Sequence, residues 1–302
     1  MVANRKNLIV IAGPTAVGKT AVAIQLAKEL KTEIISADSR QFFRELTIGT
    51  AKPTDSELAE VPHHFINSHS IRDDYDAARF GEEALAVIHK IFKDHDHVVL
   101  CGGSGLYIKA VVEGFDDIPE VADEIREGLV ESYNLHGIGW LQQKMKESDP
   151  EHFSMIDQQN PHRLIRALEV KIGTGASISS FRNKDKRKHD FNIIKIGLAL
   201  PREELYKRID ERMDSMIAQG LFQEAEQLYP FKDHQALQTV GYQEIFDLMD
   251  GLYDREEAVR LLKRNTRRYA KRQLTWFKRD EEMRWFSPGD LDGILDYVRS
   301  FS

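Results

Sequence analysis

Short apolar runs alternate with longer stretches of helical spacing through roughly the first hundred residues. LIVIA at Leu8–Ala12, EIISA at Glu33–Ala37, HFINSHSI at His64–Ile71 and HVVLC at His97–Cys101 read as strands. Between them, AVAIQLAKEL follows the first run, and AARFGEEALAVIHKIF recurs at three- and four-residue spacing behind Asp76, a candidate N-cap. Strand and helix in alternation predict an α/β fold, a parallel sheet with helices on both faces. From about Pro119 to His189 the strand pattern stops, leaving helical stretches broken at Asn134–Gly137, Asp149–Pro150 and Asn160–Pro161. FNIIKIGLAL, Phe191–Leu200, returns to a strand pattern, Pro201 opens another helix, and helices continue to about Arg279. The expected organisation is a core of residues 1–116 and 191–302, interrupted by a helical insertion at 117–190.

Composition narrows the class. At 302 residues and 41% hydrophobic, the chain can build a full core, and it shows neither repeats nor low-complexity tracts. MVANRKN precedes only about five apolar residues, too few for a secretory leader, and no run approaches the roughly 18 needed to cross a bilayer. That pattern makes a cytoplasmic protein with no membrane partner the expectation, and a monomer is expected. A single cysteine, Cys101, excludes intrachain disulfides and multi-thiolate zinc sites, and its apolar setting marks it as a packed side chain. The net charge of −7 conceals segregation. Glu113–Glu127 is strongly acidic, Arg182–His189 is basic, and Arg260–Arg279 holds nine Lys or Arg and no carboxylate.

The sequence GPTAVGKT, comprising Gly13, Pro14, Thr15, Ala16, Val17, Gly18, Lys19 and Thr20, follows the first strand and opens a helix. That context makes it a phosphate-binding loop: its amides and the helix N-terminus point at a phosphate, Lys19 adds a positive charge, and Thr20 can offer its hydroxyl to Mg2+. A nucleotide hydrolase usually carries a second strand ending in a metal-holding acid. HVVLC ends instead in GGSGLY, whereas EIISA ends in Asp38, at the sheet edge where open α/β sheets bind ligands. Asp38 as a helix cap is the structural alternative.

These stretches, with ISADSRQFFRELTIGTAKPT, GGSGLYIKAVVEGF, NPHRLIRALEV, RIDERMDSMIAQGL, TVGYQEI and AKRQLTWFKR, resemble the bacterial tRNA dimethylallyltransferases, or tRNA isopentenyltransferases, from about Leu8 to Arg279. The resemblance implies transfer of a dimethylallyl group from dimethylallyl diphosphate to the exocyclic amine of adenosine 37 in tRNAs reading codons that begin with U. It also implies a P-loop core, an insertion gripping the anticodon stem-loop, and a channel in which the two substrates meet. Asp38 matches the general base, and Lys19 and Ser104 complete the catalytic set. Ser104 stands where the family usually has threonine, and His162 replaces a frequent glutamine. Ser39, Arg40, Gln41, Arg126, His162, Arg163 and Arg166 match tRNA-contacting positions, although Arg40 departs from the small or apolar residue common there. Arg208 and Arg212 are candidate diphosphate partners. The zinc-finger extension of eukaryotic relatives is absent from this sequence.

The tRNA face can be argued without the resemblance. At about 100° per residue, Arg260, Arg264, Arg267, Lys271 and Lys278 share one side of a helix, while Leu262, Tyr269, Trp276 and Phe277 share another. A merely solvated face would intersperse carboxylates. Trp276 and Phe277 are expected in the core, and adjacent His63 and His64 on opposite faces of a strand rather than on one metal. A small-molecule or nucleoside kinase with a helical lid, or an RNA-binding protein with a vestigial loop, are the competing readings.

Overall fold

The computed structural model describes residues 6–181 and 187–301, so much of the basic cluster at Arg182–His189 lies outside the described residues. Two compact units are present, Phe115–Arg187 and the remainder of the chain.

The larger unit begins with β1 (Asn7–Ala12), α1 (Lys19–Glu29), β2 (Ile34–Ser36), α2 (Asp55–Glu60), β3 (His63–His64), α3 (Ala77–Ile91), β4 (His97–Gly102) and α4 (Gly105–Val112). Asp76 caps α3 by accepting the amide of Arg79 at 2.9 Å.

The second unit is helical: α5 (Asp123–His136), α6 (Ile138–Ser148), α7 (Pro150–Met155), α8 (Pro161–Thr174) and a 3-10 turn, Ile178–Phe181. Its helix starts explain the two X-Pro breaks. Asp149 and Asn160 are N-caps accepting the amides of His152 and Arg163, and each following proline takes the first helical position, where no N–H is needed. Leu129, Leu141, Met145, Leu164 and Leu168 form its separate core.

The larger unit resumes with β5 (Asn192–Leu198), α9 (Arg202–Ala218), α10 (Leu221–Leu228), α11 (Gln243–Met249), α12 (Arg255–Phe277), β6 (Arg284–Phe286) and α13 (Leu291–Arg299). Its strands form one parallel sheet in the order β3-β2-β4-β1-β5-β6. In β1, Leu8, Val10 and Ala12 enter one core and Ile9 and Ile11 the other, so both faces are covered and the strand reads as a continuous apolar run.

The expected strand at His64–Ile71 is not one. Only His63 and His64 pair with β2, because Phe65 and Asn67 adopt left-handed φ of 61° and 55° and carry the chain off the sheet. The last strand and helix, β6 and α13, follow the region in which helices were expected to end. Pairing of Ala12 with Gly102 and of Ser36 with Cys101 brings the carboxyl ends of β1, β2 and β4 side by side. The loops that leave those three strands therefore converge, as open α/β sheets require of a ligand site.

Candidate active site

The loop after β1 turns into α1 through Gly18, at φ 106°, a backbone conformation that favours glycine. Lys19 Nζ donates to the Pro14 carbonyl at 2.8 Å. Burial pushes its ammonium pKa down to about 8, against the pull of Cys101 and Asp38 and with some help from Arg212. Lys19, Thr20, Asp38, Arg212 and Tyr269 line a cavity of about 330 Å3. Cys101 also lines it, with its thiol pushed up to about 11 by burial, so it remains protonated.

Both arginines on α9 approach the loop: Arg212 Nη2 donates to Thr15 Oγ at 2.7 Å, and Arg208 Nη1 lies beside Gly18. Burial lowers its pKa, and no carboxylate pairs with it among the described residues. Arg208 is exposed and paired with Glu204 at 2.8 Å.

The loop after β2 places Asp38 with Oδ1 accepting the Arg40 amide at 3.0 Å. Ser104, only 8% exposed, accepts the Ser39 amide at 2.9 Å and lies 3.1 Å from the Ser39 hydroxyl, joining the β2 and β4 loops. Arg40 donates to the carbonyls of Ser39 and Gln235 at 2.9 and 3.3 Å, and burial lowers its pKa. Gln41 is committed to the scaffold: it donates to the carbonyls of Thr50 and Ala51 at 3.2 Å and accepts from Ser36 at 3.3 Å.

A second cavity, of about 90 Å3, is lined by Asp38, Arg212, Met213, Met216, Val240 and Tyr269. Asp38, Arg212 and Tyr269 thus border both spaces. Asp38 stands where a phosphate-loop cavity meets a partly apolar one.

In the helical unit, Arg126 and Arg166 share the buried carboxylate of Glu169 at 3.0 and 2.8 Å. His162 and Arg163 are exposed, with Arg163 3.9 Å from Asp157.

The stretch Arg260–Arg279 holds no carboxylate, yet several of its cations find one outside it: Arg267 pairs with Asp210 at 2.5 Å and Lys263 with Asp214 at 2.6 Å, both from α9, and Arg260 pairs at 2.6 Å with Glu257 in the first turn of α12. Arg264 is half-buried, with Nε donating to Asn265. Arg268, Lys271, Arg272 and Lys278 are exposed, and among the described residues none of the four has an ion pair. Trp276 is a correction, being 37% exposed, whereas Phe277 is buried. His63 and His64 have separate partners, the Val61 carbonyl at 2.7 Å and Glu33 at 2.6 Å.

Several site residues escaped the sequence reading. Gln273 lies 2.8 Å from both the Thr15 amide and the Gly103 carbonyl. Glu224 accepts the amides of Thr47, Ile48 and Gly49 at 3.1, 2.8 and 2.9 Å, and Tyr242 donates to it at 2.6 Å. Gln273 and Tyr242 fall within stretches already singled out, AKRQLTWFKR and TVGYQEI; Glu224 carries no such signal.

A parallel sheet with a glycine loop after β1, a carboxylate after β2 and a separate helical unit defines a P-loop α/β protein. Comparison narrows the class. The IPP transferase family model matches residues 41–280. A tRNA dimethylallyltransferase of Cytophaga hutchinsonii is 50% identical over 295 residues, covering 98% of this chain and 97% of that protein. One from Christiangramia forsetii is 51% identical, covering 97% of each. Among solved structures, the tRNA isopentenylpyrophosphate transferase of Bacillus halodurans has a TM-score of 0.71 at 39% identity, covering 98% of this chain and 95% of that one. A eukaryotic dimethylallyltransferase described as acting on tRNA has a TM-score of 0.78 at 26% identity, covering 95% of this chain and 75% of that one. The chain belongs to the IPP transferase family, that of the tRNA dimethylallyltransferases.

Proposed function

We propose that this chain transfers the dimethylallyl group of dimethylallyl diphosphate to the exocyclic amine of adenosine 37 in tRNAs reading codons that begin with U, releasing diphosphate. The observation that carries this reading is the position of Asp38, on the boundary between the cavity of Lys19 and Thr20 and a second, partly apolar cavity.

The diphosphate sits against the loop amides, the N-terminus of α1, Lys19 and Arg212. As the allylic C–O bond breaks, its electron pair leaves with the diphosphate, and these fixed donors act on charge that grows in the transition state. The adenine amine is a weak nucleophile because its lone pair is delocalised into the ring. As the C–N bond forms, Asp38 accepts the amine proton, a role worth on the order of 10² to 10⁴ in rate. Ser104 fixes the Ser39 amide beside that carboxylate.

Magnesium fits as a partner of the diphosphate, because Thr20 lines the cavity and offers a hard hydroxyl oxygen beside the leaving group. Thr20 would hold it, and the ion would supply charge neutralisation on the leaving group. Arg126, His162, Arg163 and Arg166 of the helical unit, with Ser39, Arg40 and the exposed cations of α12, contact the anticodon stem-loop. On this reading the protein acts as a monomer in the cytoplasm. No helix among the described residues is long and apolar enough to cross a membrane.

The test is to incubate the protein with unmodified bulk tRNA and Mg2+, once with labelled dimethylallyl diphosphate and once with γ-labelled ATP. Label from the allylic donor alone should reach tRNA. Phosphate transfer to a small acceptor, with no prenylated RNA, would replace the reading by that of a kinase.

A further inference from the structure

One face of α12 rests on the loop after β4. Gln273 reaches the Gly103 carbonyl, and four residues before it Tyr269 lies beside Ser104. Three residues beyond it, Trp276 occupies the space that a side chain at Gly105 would need. Spacings of four and three residues put all three side chains on the same side of the helix. Gln273 goes further than its neighbours. Its Nε2 donates to Gly103 at 2.8 Å while its Oε1 accepts the Thr15 amide at 2.8 Å, so one side chain ties the loop after β4 to the phosphate loop after β1. It is 7% exposed, and Gly103 has no room for a Cβ against it.

We propose that Gln273 is a positioning residue of the transfer reaction, setting the register of the phosphate loop against the loop that carries Ser104. Two consequences follow from the geometry. Gln273 accepts the Thr15 amide, fixing the peptide unit whose Pro14 carbonyl Lys19 grips and whose Thr15 side chain accepts from Arg212. The side-chain amide nitrogen of Gln273 anchors Gly103, one residue from Ser104, and Ser104 in turn holds the Ser39 amide beside Asp38. Donor-side and acceptor-side groups thus meet at one neutral amide. Neutrality matters because Gln273 lines the cavity of Lys19, where a negative charge would compete with the diphosphate.

The inference rests on the proposed function, and its test keeps the two separable. Gln273→Met and Gln273→Glu would be compared with the wild-type chain for thermal midpoint, tRNA affinity by filter binding, inorganic diphosphate affinity by calorimetry, and single-turnover prenylation. Loss of two buried hydrogen bonds in the methionine variant should weaken diphosphate binding about tenfold and slow the single turnover, with tRNA affinity unchanged. The glutamate variant keeps shape and an acceptor for Thr15 but adds charge, so it should bind diphosphate more weakly than the methionine variant and recover towards it as pH is lowered. A merely structural role predicts the opposite order, glutamate being the closer replacement, with losses confined to the thermal midpoint. That order, or unaltered diphosphate affinity and turnover in either folded variant, would overturn the proposal. Failure of the wild-type chain to bind diphosphate would instead overturn the functional reading.

Discussion

Two sets of cations in this protein face opposite conditions. Lys19 and Arg212 sit in buried surroundings with no carboxylate ion pair among the described residues, and both have lowered pKa values because burial disfavours their charge. On α12, Arg260, Lys263 and Arg267 each have a carboxylate within 2.6 Å. Desolvated cations at a cavity, without a carboxylate ion pair, point to an anion that arrives later. Paired surface cations carry no such implication. A count of charges along the sequence cannot separate the two sets, because the partners of α12 come largely from α9.

The largest effect should fall where the unpaired cations meet the base. Asp38→Asn keeps the shape of the side chain but removes its charge and basicity, so single-turnover prenylation should slow by about 10² to 10⁴ while tRNA and diphosphate still bind. Partial rescue by excess Mg2+ would indicate a metal-holding role instead. Wild-type turnover would remove Asp38 from the chemistry.

Lys19→Ala should cost about 10² to 10³ in turnover through lost stabilisation of the leaving group, again with tRNA affinity retained. Loss of tRNA binding with normal turnover at saturating tRNA would contradict the assignment.

The lowered pKa of Lys19 gives a signed pH dependence. With the free ammonium near 8, a bound anion raises that pKa, so donor binding takes up a proton above pH 8. Affinity for dimethylallyl diphosphate, titrated without tRNA, should fall by up to about tenfold per pH unit between pH 8 and 10, and Lys19→Ala should flatten that dependence. A flat wild-type profile would mean that Lys19 does not face the donor.

The smallest effects should divide α12 itself. Neutralising Arg268, Lys271 and Arg272 together should weaken tRNA binding and reduce the slope of log K against log salt by about two, since each lost phosphate contact removes roughly 0.7 to 0.9. Arg267→Gln and Arg260→Gln should leave that slope nearly unchanged and cost about 0–1 kcal/mol of stability, the usual worth of surface pairs. Equal slopes for both groups would abolish the distinction between paired and free cations.

Much of this architecture was legible locally. LIVIA is a buried central strand because its residues enter two cores alternately, and Asp76, Asp149 and Asn160 cap helices because their side chains accept an amide within the next turn. The phosphate loop was equally legible, since its geometry depends on eight consecutive residues between a strand and a helix. HFINSHSI misled because apolar composition does not reveal the left-handed turns at Phe65 and Asn67. Trp276 misled because helical phase identified the side facing the protein but not that the ring would cover Gly105 at an edge still open to solvent.

What the sequence determined by itself was therefore whatever a few neighbouring residues control: strand and helix patterns, caps, the phosphate loop, and the motif set that marks the family. Tertiary structure decided what depends on residues far apart in the chain. It set Asp38 between two cavities, bonded Arg212 to Thr15 of the loop, joined Thr15 to Gly103 through Gln273, and neutralised Arg267 with Asp210. The physical reason is range: backbone preferences act within a turn or so of the chain, whereas desolvation, charge pairing and side-chain hydrogen bonds depend on distance in space, which only the packed sheet and its helices define.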